Sequence, residues 1–403
     1  MQVGMRGRLE AVAAVAVCAM LALILAACEL QAQASVVDPI EMDGTELAVE
    51  LYEETDVELL MAGDMLVHDV VWKSGEHSDG TRSYDHFFDH TKVLIEAADF
   101  AIINQETVLG GTELGLSNYP RFNSPQEIGD AEARAGFDVV LTASNHTMDK
   151  GYEALSNELA FFRSNYPDIK LVGTVMPGEG VAADAGPLIL EKGDLKIAVL
   201  NYTYGLNGLS DPQGVVCILH EDQVRRDMEL ANEQADLVVV CPHWGTEYRL
   251  TADDDQRRWA QLFCDLGADV VFGCHPHVIE PVEVIEGAGG NRTLVFWSTG
   301  NFMSDSGDAR STLGGIATVE LVKDIDGARV EDWEFTPIIT HRERGTAMSV
   351  YTLADYTDEL RNASAASSSF VLPLEEYKKL AAEVLGPSYD AKTCVLSGTM
   401  GTS

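Results

Sequence analysis

The alternation of short apolar runs with amphipathic stretches is the feature that most constrains the fold of this chain. Six apolar runs have the length and composition of buried strands: VELLMAG, DFAIIN, FDVVLTA, LKIAVLNY, DLVVVCPH and ADVVFGC. Stretches with helical periodicity lie between several of them, at 87–97, 127–135, 152–162, 220–235 and 254–266. Strands that alternate with helices predict an α/β fold with a substantially parallel sheet.

The pattern changes after Gly290. The segments TLVFWSTGNF, GGIATVELV and ARVEDWEFTPII are rich in strand formers and separated by turn residues, so they predict an antiparallel closing portion. Residues 345–403 contain one predicted helix, at 374–384, and the Ala/Ser-rich stretch NASAASSS. We therefore expect one folded domain over 57–344, followed by a peripheral C-terminal segment at 345–403.

The N-terminus has the features of an export signal. Two arginines precede an unbroken apolar run of seventeen residues, 11–27, which is short for a spanning helix and typical of a signal peptide. The run ends in LAAC, which resembles a bacterial lipobox, so we expect a signal peptide at 1–27 and a lipid on Cys28. The lipid would anchor the exported protein to the outer face of the cell membrane. An ordinary signal peptide that contains a cysteine is the alternative. The acidic, weakly patterned segment 28–56 is expected to be a tether.

The charge balance limits the partners of this chain. Its 403 residues include 27 Lys+Arg and 65 Asp+Glu, for a formal net charge of −38. This charge should repel nucleic acid, so no nucleic-acid partner is expected. The acidic residues are spread along the chain and do not form one acidic tail. We therefore interpret the charge as an adaptation of the protein surface to solubility or habitat. No CxxC spacing occurs among the seven cysteines, so no zinc ribbon or disulfide framework is predicted.

Polar residues of metal-ligand type follow five of the predicted strands. They are Asp64 and His68; Asn104 and Glu106; Asn145, His146 and Asp149; His243 and Glu247; and His275 and His277. Ligand sites in α/β folds gather at the carboxyl ends of strands, so this repetition favours one shared metal site over five separate capping roles. Imidazole, carboxylate and amide groups without thiolate suit Mn, Zn, Fe or Mg, and about six ligands could hold two ions bridged by a carboxylate.

Six ordered motifs resemble those of the CapA-type poly-γ-glutamate capsule biosynthesis family, which is related to the calcineurin-like metallophosphoesterases. The motifs are GDMLVH, NQETVLGG, SNHTMDKG, PHWGTEY, GADVVFGCHPHVIEPVE and FWSTGNF. The resemblance extends from about residue 57 to about residue 304. It implies a metallophosphoesterase-like four-layer α/β/β/α sandwich of two mixed sheets.

The resemblance also implies a role for each matching side chain. The implied metal ligands are Asp64, Glu106, Asn145, His243, His275 and His277. His146 matches the general acid that protonates a leaving oxygen. Other polar residues of the motifs are expected behind the ligands or against the substrate: His68, Asn104, Asp149, Glu247, Asn301 and Arg249. Pro276 is expected to stiffen an extended segment from which His275 and His277 project on the same side.

One departure from the superfamily pattern leaves two functions open. Phosphoesterases of this superfamily usually have a histidine two positions after the first aspartate, and here that position is Leu66. The site could therefore hold one divalent ion or two. The first function is a lipid-anchored, metal-dependent, phosphoesterase-like hydrolase in the biosynthesis or export of an anionic surface polymer such as poly-γ-glutamate. The second is a non-catalytic accessory subunit that binds the polymer or its membrane synthase, with a structural metal. Leu66 favours the second, whereas His146 favours the first, because a structural ion needs no positioned acid.

Overall fold

The computed structural model describes residues 54–343, 347–364 and 371–400. The predicted signal peptide at 1–27, Cys28 and all but the last three residues of the predicted tether lie outside the described residues. Across the described ranges, no helix is both long enough and apolar enough to cross a bilayer.

Ten strands form the larger of two mixed sheets. They are β1 (Thr55–Met65), β2 (Phe100–Asn104), β3 (Val139–Leu141), β4 (Lys170–Val172), β11 (Asn301–Met303), β12 (Leu313–Asp324), β13 (Gly327–Arg342), β14 (Met348–Thr352), β15 (Tyr389–Asp390) and β16 (Val395–Thr399). Strands β1 to β4 are parallel neighbours, whereas β12 and β13 form a long antiparallel hairpin beside β1. The predicted antiparallel closing portion is confirmed for GGIATVELV and ARVEDWEFTPII, which form β12 and β13. It is wrong for TLVFWSTGNF, whose strands Arg292–Phe296 and β11 each pair with a parallel neighbour, because an apolar run does not reveal the direction of its partner.

The other six strands form the smaller sheet. They are β5 (Leu188–Lys192), β6 (Leu195–Thr203), β7 (Leu237–His243), β8 (Val270–Phe272), β9 (Val282–Glu286) and β10 (Arg292–Phe296). Its inner strands β6, β7, β8 and β10 run parallel, and β5 and β9 are antiparallel edges. All six predicted apolar runs form strands, three in each sheet, so the α/β prediction is confirmed.

Helices connect the strands and cover the sheets. They are α1 (Asp69–Lys73), α2 (Lys92–Ile95), α3 (Glu127–Ala135), α4 (Gly151–Asn165), α5 (Glu221–Gln234), α6 (Asp254–Asp265), α7 (Asp358–Ala363) and α8 (Leu374–Leu385). Local chemistry sets their ends: Gly136 terminates α3 with a left-handed φ of 106°, and Asp253 starts α6 with a capping box to Gln256. The stretch predicted as a helix at 87–97 forms only the end of a 3₁₀ turn and the single-turn α2.

Alternating side chains of the strands build the layers of the fold. Along β1, Val57 and Leu59 face a hydrophobic cluster that residues of both sheets share, whereas Leu60 faces a second cluster on the outer side of the larger sheet. Helices α3 and α4 contribute to this outer cluster, and α5 and α6 pack against the outer side of the smaller sheet. The result is the expected four-layer sandwich of two mixed sheets.

The described part of segment 345–403 is built into the larger sheet. Strands β14 and β16 both pair with β13, and α8 buries Leu374, Tyr377 and Ala381 in the cluster between the sheets. This segment forms one edge of the sheet and part of the core, in contrast to the expected peripheral segment. The sequences of strands β14, β15 and β16, MSVYT, YD and VLSGT, mix polar with apolar residues and form no apolar run, so the sequence did not reveal them.

Candidate metal centre

The carboxyl ends of strands from both sheets meet around Asp64, near the end of β1. The Asp64 amide donates to the Gly300 carbonyl at 2.9 Å, and Asp64 lies in register with Asn301 of β11. This close approach requires glycine at position 63, because a Cβ there would lie 2.0 Å from the Gly300 carbonyl oxygen. The backbone thus fixes the Asp64 carboxylate at a buried point between the sheets.

Hydrogen bonds link Asp64 to both sheets. The Asn104 amide at the end of β2 donates to Asp64 Oδ1 at 2.6 Å and lies 3.3 Å from His243 Nδ1 at the end of β7. The backbone N–H of His275 donates to Asp64 Oδ2 at 3.1 Å. Asn104 therefore contacts both an aspartate and a histidine of the predicted ligand set.

Glu106 is a buried carboxylate surrounded by nitrogen and oxygen atoms of other predicted ligands. His243 Nε2 and His277 Nε2 each lie 3.6 Å from Glu106 Oε1, and Asn145 Oδ1 lies 3.0 Å from His243 Nε2. Although burial opposes ionisation, the neighbouring His277 and His243 hold the pKa of Glu106 well below its usual range. Burial lowers the pKa of His277, but the carboxylates of Glu106 and Asp64 outweigh this and raise that pKa to about 10. The site is thus a network of mutually stabilised charges.

The His-Pro-His segment is a turn, so the expectation of an extended segment is wrong. His275 has a φ of 96° and His277 a φ of 60°, a region that L-residues seldom adopt. Contacts on both sides hold this turn: the His275 N–H bonds to Asp64, and the Tyr248 N–H donates to the Pro276 carbonyl at 2.8 Å. The turn places the two imidazole rings 5.6 Å apart.

Three groups of side chains in the described residues could each hold a metal ion. They are Glu106, His243 and His275; Asp64, Glu106 and His277; and Glu247, His275 and His277, and within each group the ligand atoms lie within 4.8 Å of one another. Several buried atoms here have no hydrogen-bond partner in the described protein, namely both oxygens of Glu106, Asn104 Oδ1 and His275 Nδ1. Buried polar atoms are seldom left unpaired, so these donors fit a divalent cation.

His146 forms a pair with Asp149 beside the metal-ligand groups. Its Nδ1 lies 2.7 Å from Asp149 Oδ2, which also accepts a hydrogen bond from the Phe122 N–H at 2.7 Å. The Phe122 ring packs edge-on against the imidazole, with centroids 4.8 Å apart. Because Nδ1 is occupied by Asp149, Nε2 is the nitrogen left to exchange a proton with a ligand.

His68 and Leu66 lie outside the three groups. His68 Nδ1 accepts a hydrogen bond from the Asp305 N–H at 3.3 Å, and its ring packs edge-on against Phe122. Burial, followed by the charge of His277, lowers the pKa of His68 to about 4. Leu66 is only 3% exposed and offers no ligand atom.

The remaining predicted residues divide between the interior and the mouth of the site. Asn301 Oδ1 lies 3.0 Å from His277 Nδ1, so Asn301 holds that imidazole from behind. Glu247 and Arg249 are exposed on the loop after β7. Glu247 belongs to one of the metal-ligand groups, whereas Arg249 Nε contacts the Thr251 hydroxyl at 3.5 Å.

Tyr204 is a site residue that the motif comparison missed. Its ring lies against His275 with centroids 4.7 Å apart, and its hydroxyl is 3.4 Å from Asn145 Nδ2. The side chain is 44% exposed, so it forms part of the mouth of the site. Its position directly after β6, at the same end of the sheet as the other polar residues, was the available indication.

Asn201, near the end of β6, was also missed. Its buried amide accepts from the Ala143 N–H and donates to the Cys241 carbonyl, each at 2.8 Å. Ala143 follows β3 of the larger sheet and Cys241 belongs to β7 of the smaller one. Asn201 therefore joins the two sheets directly beneath the site.

Fold and site together define a class of protein: a two-sheet α/β sandwich with a candidate divalent metal centre at the strand ends of both sheets. The chain matches the family model described as bacterial capsule synthesis protein PGA_cap over residues 58–306. It belongs to this family, so the resemblance noted from the motifs is confirmed.

Two named relatives are similar to most of the chain. The PGA biosynthesis protein CapA of Bacillus subtilis is 28% identical over 304 residues, which cover 73% of this chain and 74% of the relative. The capsule biosynthesis protein CapA of Bacillus anthracis is 26% identical over 273 residues, which cover 64% of this chain and 62% of the relative.

Solved structures with a partial likeness include two described as 5′-nucleotidases. The one from Staphylococcus aureus has a TM-score of 0.46 and 17% identity, with 81% of this chain and 58% of that chain covered. The one from Candida albicans has a TM-score of 0.42 and 13% identity, with 81% and 57% covered.

Proposed function

We propose that this protein is a metal-dependent, phosphoesterase-like hydrolase that acts in the biosynthesis or export of an anionic capsule polymer. The observation that carries the proposal is the buried Glu106 carboxylate, which has no hydrogen-bond partner in the described protein and lies between His243 and His277. The family and the two CapA relatives support a role in capsule biosynthesis. Poly-γ-glutamate, named in the B. subtilis relative as PGA, is the candidate polymer.

The proposed metal ligands are those that the motifs implied: Asp64, Glu106, Asn145, His243, His275 and His277. One or two divalent ions, of Mn, Zn, Fe or Mg, would activate water and stabilise developing negative charge when bound. Asn104 and Asn301 orient ligands from behind through the hydrogen bonds described above.

His146 is the proposed general acid. Asp149 Oδ2 lies 2.7 Å from Nδ1 and orients the ring, so that Nε2 would donate a proton to the leaving oxygen. Tyr204 at the mouth, with Arg249 on the neighbouring loop, would contact the substrate. Poly-γ-glutamate is joined by amide bonds, so a phosphoester substrate would be a precursor or carrier of the polymer and not the polymer itself.

The location that fits this function is the outer face of the cell membrane. The signal peptide at 1–27 and the lipid on Cys28 remain proposals, and with them the membrane as a partner. In cells, Cys28→Ala is expected to move the protein from the membrane fraction to the soluble exported fraction. An unchanged membrane fraction would contradict lipid anchoring through Cys28.

A second function is supported by Leu66. Its buried side chain offers no ligand atom at a position where related phosphoesterases usually have a histidine, so a two-ion site would lack one ligand. In this alternative the protein is an accessory subunit that binds the polymer or its synthase, with a structural metal. Metal analysis combined with hydrolysis of a dialkyl phosphodiester, whose leaving alkoxide needs a proton, by the purified exported protein separates the two functions.

The decisive comparison is between the wild type and His146→Ala. The hydrolase proposal predicts that wild-type protein turns over the diester, and that the variant retains its metal but loses at least about a hundredfold in rate. A wild type that binds metal but hydrolyses no phosphoester would favour the accessory role. Equal rates in the two proteins would exclude His146 as the acid.

A further inference from the structure

The loop after β7 carries a carboxylate toward the His-Pro-His turn. Glu247 is exposed, and one of its oxygens lies within 4.8 Å of ligand nitrogens of His275 and His277. Metal–ligand bonds of about 2.0–2.2 Å place two ligands of one ion up to about 4.4 Å apart. Only a small rotation of the exposed Glu247 side chain is therefore needed for all three groups to bind the same ion.

Backbone contacts hold this loop over the turn. The Trp244 N–H donates to the Cys274 carbonyl at 3.0 Å, and the Tyr248 N–H donates to the Pro276 carbonyl at 2.8 Å. Between these two bonds, Gly245 has a φ of 88°, and a Cβ there would lie 2.6 Å from the Gln256 side chain. The path of the loop is thus fixed on both sides of Glu247.

The side chain of Thr246 adds a further support. Its hydroxyl donates to Asp253 Oδ2 at 2.7 Å, and Asp253 is itself fixed as the N-cap of α6. Glu247 is therefore an exposed side chain on a well-anchored backbone. Its carboxylate can turn toward a metal ion while the backbone stays in place.

The inner part of the site has enough ligands without Glu247. Glu106 and His243 lie 3.6 Å apart, with Asn145 Oδ1 3.0 Å from the same His243 nitrogen. His275 also belongs to the group with Glu106 and His243, so it could bind either ion. An inner ion held by Glu106, His243 and Asn145 would leave His275 and His277 available for a second ion, and Leu66 offers that ion no ligand atom.

We propose that Glu247 supplies this missing ligand and completes an outer metal site with His275 and His277. The inference rests on the proposed metal-dependent function and deepens it, since it assigns two ions to the chain in spite of Leu66. The ligands proposed for the inner ion are all buried, whereas the outer ion would have one ligand on an exposed side chain. The outer ion would therefore bind more weakly than the inner ion and would dissociate first.

Titration of the metal-free exported protein with Mn²⁺, followed by calorimetry, tests the proposal. The wild type should bind two ions per chain with different affinities. Glu247→Gln keeps the size of the side chain but removes its charge, and should weaken the second ion at least about tenfold while leaving the first unchanged. Glu229→Gln, which changes an exposed glutamate on α5, is the matched control and should behave as the wild type.

Electron paramagnetic resonance of the Mn²⁺-loaded proteins gives an independent measurement. Two-metal sites hold their ions about 3.5–4 Å apart, so a spin-coupled spectrum is expected from the wild type and the control, and the spectrum of isolated Mn²⁺ from Glu247→Gln. Two ions bound equally well by Glu247→Gln, or a wild type with a single ion, would overturn the outer site alone. A wild type that binds none of Mn²⁺, Zn²⁺, Fe²⁺ and Mg²⁺ in the same titration would overturn the proposed function together with this inference.

Discussion

Replacement of Glu158 by glutamine tests how the buried acids behind the site respond to pH. Glu158 lies on α4, is 2% exposed and accepts a hydrogen bond from the Leu109 N–H at 3.1 Å, in the loop that carries Glu106. Burial raises the pKa of Glu158 to about 8, although the Leu109 N–H opposes this. Burial and the charge of Glu158 also raise the pKa of Glu132 on α3 well above its ordinary value.

The sign of the effect follows from proton binding. Between the ordinary pKa of 4.5 and about 8, the native protein keeps the Glu158 proton and the unfolded chain releases it, so stability falls as pH rises. Each pH unit costs about 1.4 kcal/mol, so Glu158 removes about 5 kcal/mol of unfolding free energy across this window. Glutamine cannot ionise, and its amide oxygen can still accept from Leu109. The variant should therefore gain about 4 kcal/mol over the wild type between pH 5 and pH 8.

Urea unfolding followed by tryptophan fluorescence at pH 5, 6, 7 and 8 measures this difference. Asp269 and Glu280, whose pKa values burial raises to about 7 and about 8, titrate in both proteins and cancel in the comparison. Glu153→Gln on the exposed side of α4 is the control and should leave the pH dependence unchanged. A stability difference that stays constant from pH 5 to pH 8 would refute the reasoning.

Three further predictions concern the site and its support. Asn104→Ala should weaken Mn²⁺ binding about 10–100-fold, because Asp64 and His243 lose their shared hydrogen-bond partner, and calorimetry showing unchanged affinity would contradict this. Asn201→Ala should lower the unfolding free energy by about 2–3 kcal/mol, because it removes the partners of the Ala143 N–H and the Cys241 carbonyl. A loss below about 0.5 kcal/mol in urea unfolding would argue against a stabilising link between the sheets. Mn²⁺ at a hundredfold excess over its Kd should raise the unfolding free energy by about 2.7 kcal/mol. The expected readout is a rise in Tm that EDTA reverses. A Tm that does not change with Mn²⁺ would contradict a metal site in the native state.

Six of the sixteen described strands could be predicted from apolar runs because they are buried on both faces. Such strands read as nearly continuous apolar runs, and all six runs were correctly assigned. Their division between two sheets could not be predicted, since an apolar run does not reveal which strand it pairs with. The prediction of a helix at 87–97 was wrong. Phe87, Phe88 and Ile95 are buried by tertiary contacts around turns, and their spacing resembles the apolar face of a helix.

The position of the candidate site could be predicted from the sequence, because the order of the strands determines which residues lie at one edge of a sheet. Residues that follow parallel strands share one edge of a sheet, so the convergence of the predicted ligands follows from their positions. The left-handed backbone at His275 and His277 depends on contacts with Asp64 and Tyr248, which are remote in sequence and left no local pattern. The roles of these residues in metal binding and catalysis stay predictions.

The division of the ligands between two sheets has a consequence for when a cation can enter. Asp64 lies near the end of β1 and Glu106 follows β2, both in the larger sheet, whereas His243 ends β7 of the smaller sheet, so neither sheet alone carries a complete set. A nascent or partly folded chain would present only half of the coordination sphere, and metal uptake would coincide with the docking of the sheets. A protein exported before that step would load its ion outside the cell, where the supply of each metal in the surroundings would decide which one it carries.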